Sequence, residues 1–244
     1  MALKHDHTPE AIRARIAAAT EHSYIGDGVL GAIDGVVTTF AIVAGSTGAG
    51  LSGGIALVLG LANVLADGFS MGVSNFLAAK SDRQVVERAR RMEEMHIDTI
   101  PDGEREEIRE IFRQKGVKGD VLEEVVEAIT RDRERWVDTM LTEELGLQLE
   151  TPAPARAGVT TFLAFLGAGL IPLVPLMFMD RIGSDYWFTL SASLTAAMFI
   201  LIGVVKGRLV GESMFAHAVE ALIVGSGAAA LAYFVGFWAR GLAA

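Results

Sequence analysis

The stretch LANVLADGFSMG, residues 61–72, lies inside a long apolar run and yet carries Asn63, Asp67 and Met71 at steps of four. A step of four advances a helix by only about 40°, so the amide, the carboxylate and the thioether share one face. A carboxylate at the centre of a bilayer costs roughly 2.5–3.5 kcal/mol on insertion scales. A cation, a proton or a partner residue must offset that cost.

Working outward, the chain has 244 residues, of which 51% are hydrophobic, and a mean hydropathy of +0.40. That is too apolar for an ordinary soluble domain of this length and points to a membrane protein. Charge is concentrated between residues 83 and 156, where acids outnumber bases, so a polar insert interrupts an apolar protein and supplies most of the net charge of −9. An acidic surface of this kind argues against nucleic acid as a partner and for cations. Cysteine is absent, which excludes disulfides and thiolate metal sites and leaves the nine methionines as the soft ligands.

Five segments reach the roughly 20 apolar residues a spanning helix needs: 28–49, 51–79, 157–179, 186–205 and 214–239. A glycine- and serine-rich turn around residues 48–54 joins the first two into a hairpin. The N-terminus, residues 1–27, has no uninterrupted apolar core and is not a signal peptide. Thr8-Pro9-Glu10 reads there as a helix start, and Ile12 and Ile16 suggest a short amphipathic helix on the membrane surface. With the N-terminus in the cytoplasm, 19 of the 21 lysines and arginines fall on the inner side, so the C-terminus lies outside. Lys206 and Arg208 are assigned to an inner loop.

No Gly or Pro interrupts residues 75–100, so the second span is expected to continue out of the membrane as a stalk. Pro101-Asp102-Gly103 reads as a turn, 104–115 as a short helix, and 120–146 as a third helix with Asp120 as its N-cap. The fold class is therefore all-α: a polytopic protein of five transmembrane helices, with a cytoplasmic three-helix domain (residues 81–150) inserted between the hairpin at 28–80 and the spans of 151–244. Gly203, Gly207 and Gly211, again at steps of four, suit close helix packing within the chain or a seam between two copies.

Chemistry concentrates in two places. In the membrane, Asp34 of the first span would meet Asn63, Asp67 and Met71 of the second. The mixed oxygen and sulfur donors suit a borderline transition metal better than Mg²⁺ or Ca²⁺. In the insert, Glu93 and His96 are three apart, Glu104 and Glu107 repeat that spacing, and Met140 and Glu144 are four apart. Like charges at such spacing repel by roughly 0.2–0.5 kcal/mol per pair, and a bound cation reverses the sign. Glu144 falls on the apolar stripe of the third predicted helix, where a solvated glutamate is out of place. Any one of these pairs could equally belong to a solvated face, Met71 and Met140 could simply pack, and Asp34 could fix helix packing through a hydrogen bond. His217 and Glu220 of the last span could form a proton relay or bond to each other; His5, His7 and His22 read as surface residues.

Several stretches together carry a family resemblance: DGVVTTFAIVAG (34–45), LADGFSMG (65–72) running into LAAKSD (77–82), PDGEREEI (101–108) and WVDTMLTEELGL (136–147). In order, separation and the placing of the acidic insert, the chain resembles the vacuolar iron transporter family from about residue 24 to 237. The resemblance implies a homodimer of five-span protomers that exchanges Fe²⁺, or the related Mn²⁺, Co²⁺ and Zn²⁺, for protons. It implies a pathway lined by Asp34 and Met71, and a cytoplasmic domain that collects metal through Glu93, Glu104, Glu107, Met140 and Glu144. The chain departs from the family pattern at His96, where a glutamate is expected, and at Asn63, where some members carry an acid.

The resulting expectation is an exporter of divalent transition metal with no permanent cofactor and H⁺ as coupling ion, in a bacterial plasma membrane. Its partners are the metal ions, the bilayer and a second copy of the chain. A membrane-embedded enzyme is the less favoured alternative: His96 is far from His217, and Ser213 near His217 lacks a nucleophile motif. A metal-binding scaffold or sensor that transports nothing is the other.

Overall fold

The computed structural model describes residues 6–19, 23–182 and 186–241. Among them there is no strand. The helices are α1 (Pro9–Ala19), α2 (Ile25–Gly48), α3 (Gly53–Thr99), α4 (Pro101–Gln114), α5 (Asp120–Thr130), α6 (Arg133–Thr139), α7 (Pro154–Gly169), α8 (Val174–Met177), α9 (Met179–Ile182), α10 (Trp187–Val210) and α11 (Met214–Arg240). Five stretches are long and apolar enough to cross a membrane: α2, α3, the run Pro154–Arg181, α10 and α11. The chain divides into one unit of residues 23–77 with 154–244, and another of 78–153 with the N-terminal residues 1–22. His5, His22 and the C-terminal residues 242–244 lie outside the described residues.

In the apolar unit α2 is the hub, packed against α7, α10 and α11. Its glycines let backbones meet without side chains between them. A Cβ at Gly31 or Gly35 would lie 2.4 Å from the carbonyl oxygen of Thr161 or Phe165 on α7. One at Gly236 of α11 would lie 2.0 Å from the carbonyl oxygen of Gly45. The glycines at 203 and 207 serve the same purpose within the chain, facing Ala218 and Met214 of α11. Gly211 instead holds a left-handed turn, φ +76°, that ends α10. That helix runs to Val210, so Lys206 and Arg208 belong to its last turns and not to a loop.

The third span also differs from the continuous helix expected over 157–179. Helix α7 stops at Gly169, and the path continues through a 3₁₀ turn at Ile171–Leu173 before α8 and α9. Pro172 and Pro175 cause the break, because each lacks an N–H and clashes with the preceding turn. The Ser191 hydroxyl on α10 donates to the carbonyl of Pro172 at 2.6 Å, satisfying an oxygen the helix no longer uses.

In the other unit, the last turns of α3 continue unbroken to Thr99, as the absence of Gly and Pro predicts. The turn expected at 101–103 is already helix, since Pro101 takes the first position of α4, where its missing N–H costs nothing. The helix expected over 120–146 is broken. Gly119, at φ +65°, precedes α5, so Asp120 lies in the first turn instead of capping it. After Thr130 the backbone extends at Asp132, whose carboxylate accepts from the N–H groups of Glu134 and Arg135 and caps α6. Helix α6 runs into a π turn, Met140–Glu144, closed by the Leu145 N–H on the Met140 carbonyl at 3.2 Å. Ile108, Leu122, Val126, Trp136, Val137, Met140 and Leu141 form the apolar core of this unit. At the N-terminus, Thr8 caps α1 as expected, accepting from the Ala11 N–H at 3.3 Å.

Candidate metal centre

The corner between α3 and α4 builds the densest group of metal-binding side chains. Residues 93 and 96 stand one turn apart near the end of α3. Around Ile100 the chain turns tightly: the Ile100 N–H reaches the His96 carbonyl at 2.7 Å, and the Glu104 N–H reaches the Ile100 carbonyl at 3.2 Å. The first turn of α4 is thereby folded back onto the last turn of α3. Ligand atoms of Glu93, His96 and Glu104 all lie within 4.8 Å of one another, and no other such group occurs among the described residues. His96 Nδ1 stands 3.4 Å from Glu104 Oε1. Two donors each about 2.1 Å from one ion at the tetrahedral angle lie about 3.4 Å apart, so this spacing is that of neighbouring ligands.

Both glutamates are almost wholly buried, Glu93 at 3% exposure and Glu104 at 1%; the two carboxyls bond to each other, and Oε2 of each finds no partner outside the pair. A buried carboxylate oxygen without a donor is strongly penalised. Burial first, and then the charges of Glu107 and Glu93, push the Glu104 carboxyl up to about 7. Burial also raises Glu144, with Glu107 and Glu93 adding to it. At neutral pH the cluster therefore holds protons it would readily give up to a divalent ion.

Of the six insert residues marked from sequence, Glu93, His96 and Glu104 are brought together. Glu107 and Glu144 are exposed but near enough for their charges to act on Glu104. Met140 is fully buried in the apolar core. Glu144 does not sit on a buried stripe: it lies in the π turn and is exposed, with its carboxyl still near enough to Glu107 and Glu93 to feel their charge.

In the apolar unit, Thr38 links the two spans of the hairpin. Its hydroxyl donates to the Asp34 carbonyl at 2.8 Å and accepts from Asn63 Nδ2 at 3.4 Å. The carboxylates of Asp34 and Asp67 are close enough to interact electrostatically. Asp34, Asn63 and Met71 are half-buried, and Asp67 is exposed. A second polar group was not anticipated: Asn75 Nδ2 donates to Asp27 Oδ1 at 2.8 Å and to Thr161 Oγ1 at 2.7 Å, tying α2, α3 and α7 together. The sequence held its signal, since Asp27 precedes Asp34 by seven and Asn75 follows Met71 by four, each continuing a polar face. His217 bonds Glu220 through Nδ1 and Glu212 through Nε2, both at 3.0 Å, and Lys206 reaches Glu220 at 3.3 Å. Ser213 caps α11 by accepting from the Ala216 N–H.

Comparison with known proteins adds to this geometry. The VIT family model matches residues 25–237. Vacuolar iron transporter 1 of Oryza sativa subsp. japonica is 35% identical over 232 residues, covering 94% of this chain and 88% of the relative. Vacuolar iron transporter 2 of the same plant is 36% identical over 217 residues, covering 88% and 87%. The vacuolar iron transporter of Toxoplasma gondii (strain ATCC 50861 / VEG) is 32% identical over 225 residues, covering 89% and 74%.

Proposed function

We propose, from the premise that this chain belongs to the VIT family, that it exports divalent iron from the cytosol across a membrane in exchange for protons. Mn²⁺, Co²⁺ and Zn²⁺ are the alternative cargoes. The acidic unit of residues 78–153 faces the cytosol and captures the ion on Glu93, His96 and Glu104, with the charges of Glu107 and Glu144 near them and Met140, on the family resemblance, as a further donor. Asp34, Asn63, Asp67 and Met71 carry it through the membrane. Two copies of the chain act together, as the family resemblance implies. The charge bias of the sequence supports an N-terminus inside and a C-terminus outside, and the membrane we assign is a bacterial plasma membrane.

The carrying observation is that two buried carboxyls, Glu93 and Glu104, bond to each other and find no other donor for Oε2, beside an imidazole at ligand spacing. A hydrogen-bonded core would satisfy those oxygens, and a solvated face would expose them. Without metal, a proton shared between Glu104 and Glu93 holds the two acids together; a cation takes its place, which accounts for two acids buried at one corner. As cargo arrives, it displaces the proton that burial has placed on Glu104. Beyond the membrane, protons arriving down their gradient neutralise the pathway carboxylates and free the ion.

The test is Fe²⁺ flux into sealed proteoliposomes with and without an imposed pH gradient. Flux that rises with the gradient supports exchange. Flux indistinguishable from protein-free vesicles, with metal still bound, would make the chain a scaffold or sensor instead. Oxygen consumption by the iron-loaded protein would favour an enzyme.

A further inference from the structure

One member of the centre differs in kind from the rest. Glu93, Glu104, Glu107 and Glu144 all offer carboxylate oxygen, and His96 alone offers nitrogen. Its side chain is 39% exposed, so it stands at the mouth of the group, with Glu93 and Glu104 buried behind it. Nδ1 is directed at Glu104 Oε1, at the separation of two donors on one ion.

Oxygen-only groups suit Mg²⁺, Ca²⁺ and Mn²⁺, whereas imidazole suits Fe²⁺, Co²⁺ and Zn²⁺. Affinity at a nitrogen-containing site rises from Mn²⁺ through Fe²⁺ and Co²⁺, and Zn²⁺ also lies above Mn²⁺. An all-carboxylate centre would discriminate among these ions weakly, and a single ring nitrogen steepens the gradient. We infer that His96 is the specificity-determining residue of the capture site, binding through Nδ1 and biasing it towards Fe²⁺, Co²⁺ and Zn²⁺ and against Mn²⁺ and the alkaline-earth ions. This rests on the proposal that the cluster captures the transported ion. It assigns to this chain a metal preference set by one side chain.

The experiment uses the purified full chain in detergent, stripped of metal, as wild type and as His96→Gln, His96→Glu and Glu104→Gln. Mn²⁺ is the spectroscopic probe, and pulsed electron paramagnetic resonance reads nitrogen coupled to it. Competition between Zn²⁺ and Mn²⁺ gives the preference. The wild type should show an imidazole nitrogen coupling that both His96 variants lose while still binding Mn²⁺. The Zn²⁺-over-Mn²⁺ preference should fall by about tenfold or more in both. Bound Mn²⁺ without nitrogen coupling in the wild type, coupling that persists in His96→Gln, or an unchanged preference overturns the inference and leaves the proposed function standing. Wild type that binds neither ion, or Glu104→Gln that binds them as tightly as wild type, overturns the capture site itself.

Discussion

Replacing Glu104 by glutamine should stabilise the metal-free protein at alkaline pH and abolish capture. The magnitude follows from the carboxyl's position near 7, against 4.5 for an ordinary glutamate. At 1.36 kcal/mol per unit, that distance is worth about 3 kcal/mol. A group raised in the folded state contributes stability that is complete below the unfolded value and is lost as pH rises through the folded one. Metal-free wild type should therefore lose about 3 kcal/mol from this group between pH 4.5 and pH 8, and Glu144 acts in the same direction. The opposite contributions belong to Glu110 and Glu123, held below the usual carboxylate range by Gln114 with Arg113 and by Arg109 respectively. They weaken only as pH falls below that range, so the decline from pH 5 to 8 belongs to the raised acids Glu104, Glu93 and Glu144, and the Glu104→Gln comparison separates the share of Glu104. Trp136 lies in the core of this unit, and denaturation followed by its fluorescence in a Trp187→Phe, Trp238→Phe background reads the change. Glu104→Gln should flatten the profile, and Zn²⁺ added at pH 8 should stabilise the wild type but not the variant. Metal-free wild type whose stability holds or rises from pH 5 to 8, or a variant with the same decline, would refute the reasoning.

Other expectations follow from the packing and the pathway. Asp34→Ala should stop Fe²⁺ flux in vesicles while leaving Zn²⁺ affinity of the capture site unchanged by calorimetry. Gly35→Val should lower the melting temperature in detergent, because its Cβ would lie 2.4 Å from the Phe165 carbonyl; overpacking of this kind costs about 1–3 kcal/mol or more. Gly227→Val, where nothing lies within 4 Å, is the matched control and should melt like wild type. Asp132→Ala removes the cap of α6 and should cost about 1 kcal/mol, seen as faster hydrogen exchange at Glu134 and Arg135.

Periodicity and composition made the spans and the stalk legible. Long-range closure was not legible. The break at residues 131–132 escaped because apolar residues on either side keep the helical period, while the capping bond of Asp132 is a single local event. The breaks after Gly169 were signalled by Pro172 and Pro175, but the hydropathy of the run hid them. At the candidate metal centre, spacing paired Glu93 with His96, yet only the corner at Ile100 brings Glu104 onto them. Glu144 is exposed in a π turn, one extra residue in a helical repeat, which no pattern of apolar positions records. Asp27 was missed because the apolar count began one residue after it.

The contacts that glycine allows between α2, α7 and α11 have a mechanical consequence. Where main chain rests on main chain there is no compliant layer to shear, so the helix bearing Asp34 cannot swivel independently of its two neighbours. These three helices form a stiff slab, and if the proposed pathway runs past Asp34, its gate must move against that slab. A methyl group added along that contact would be felt in the timing of ion passage as well as in resistance to heat.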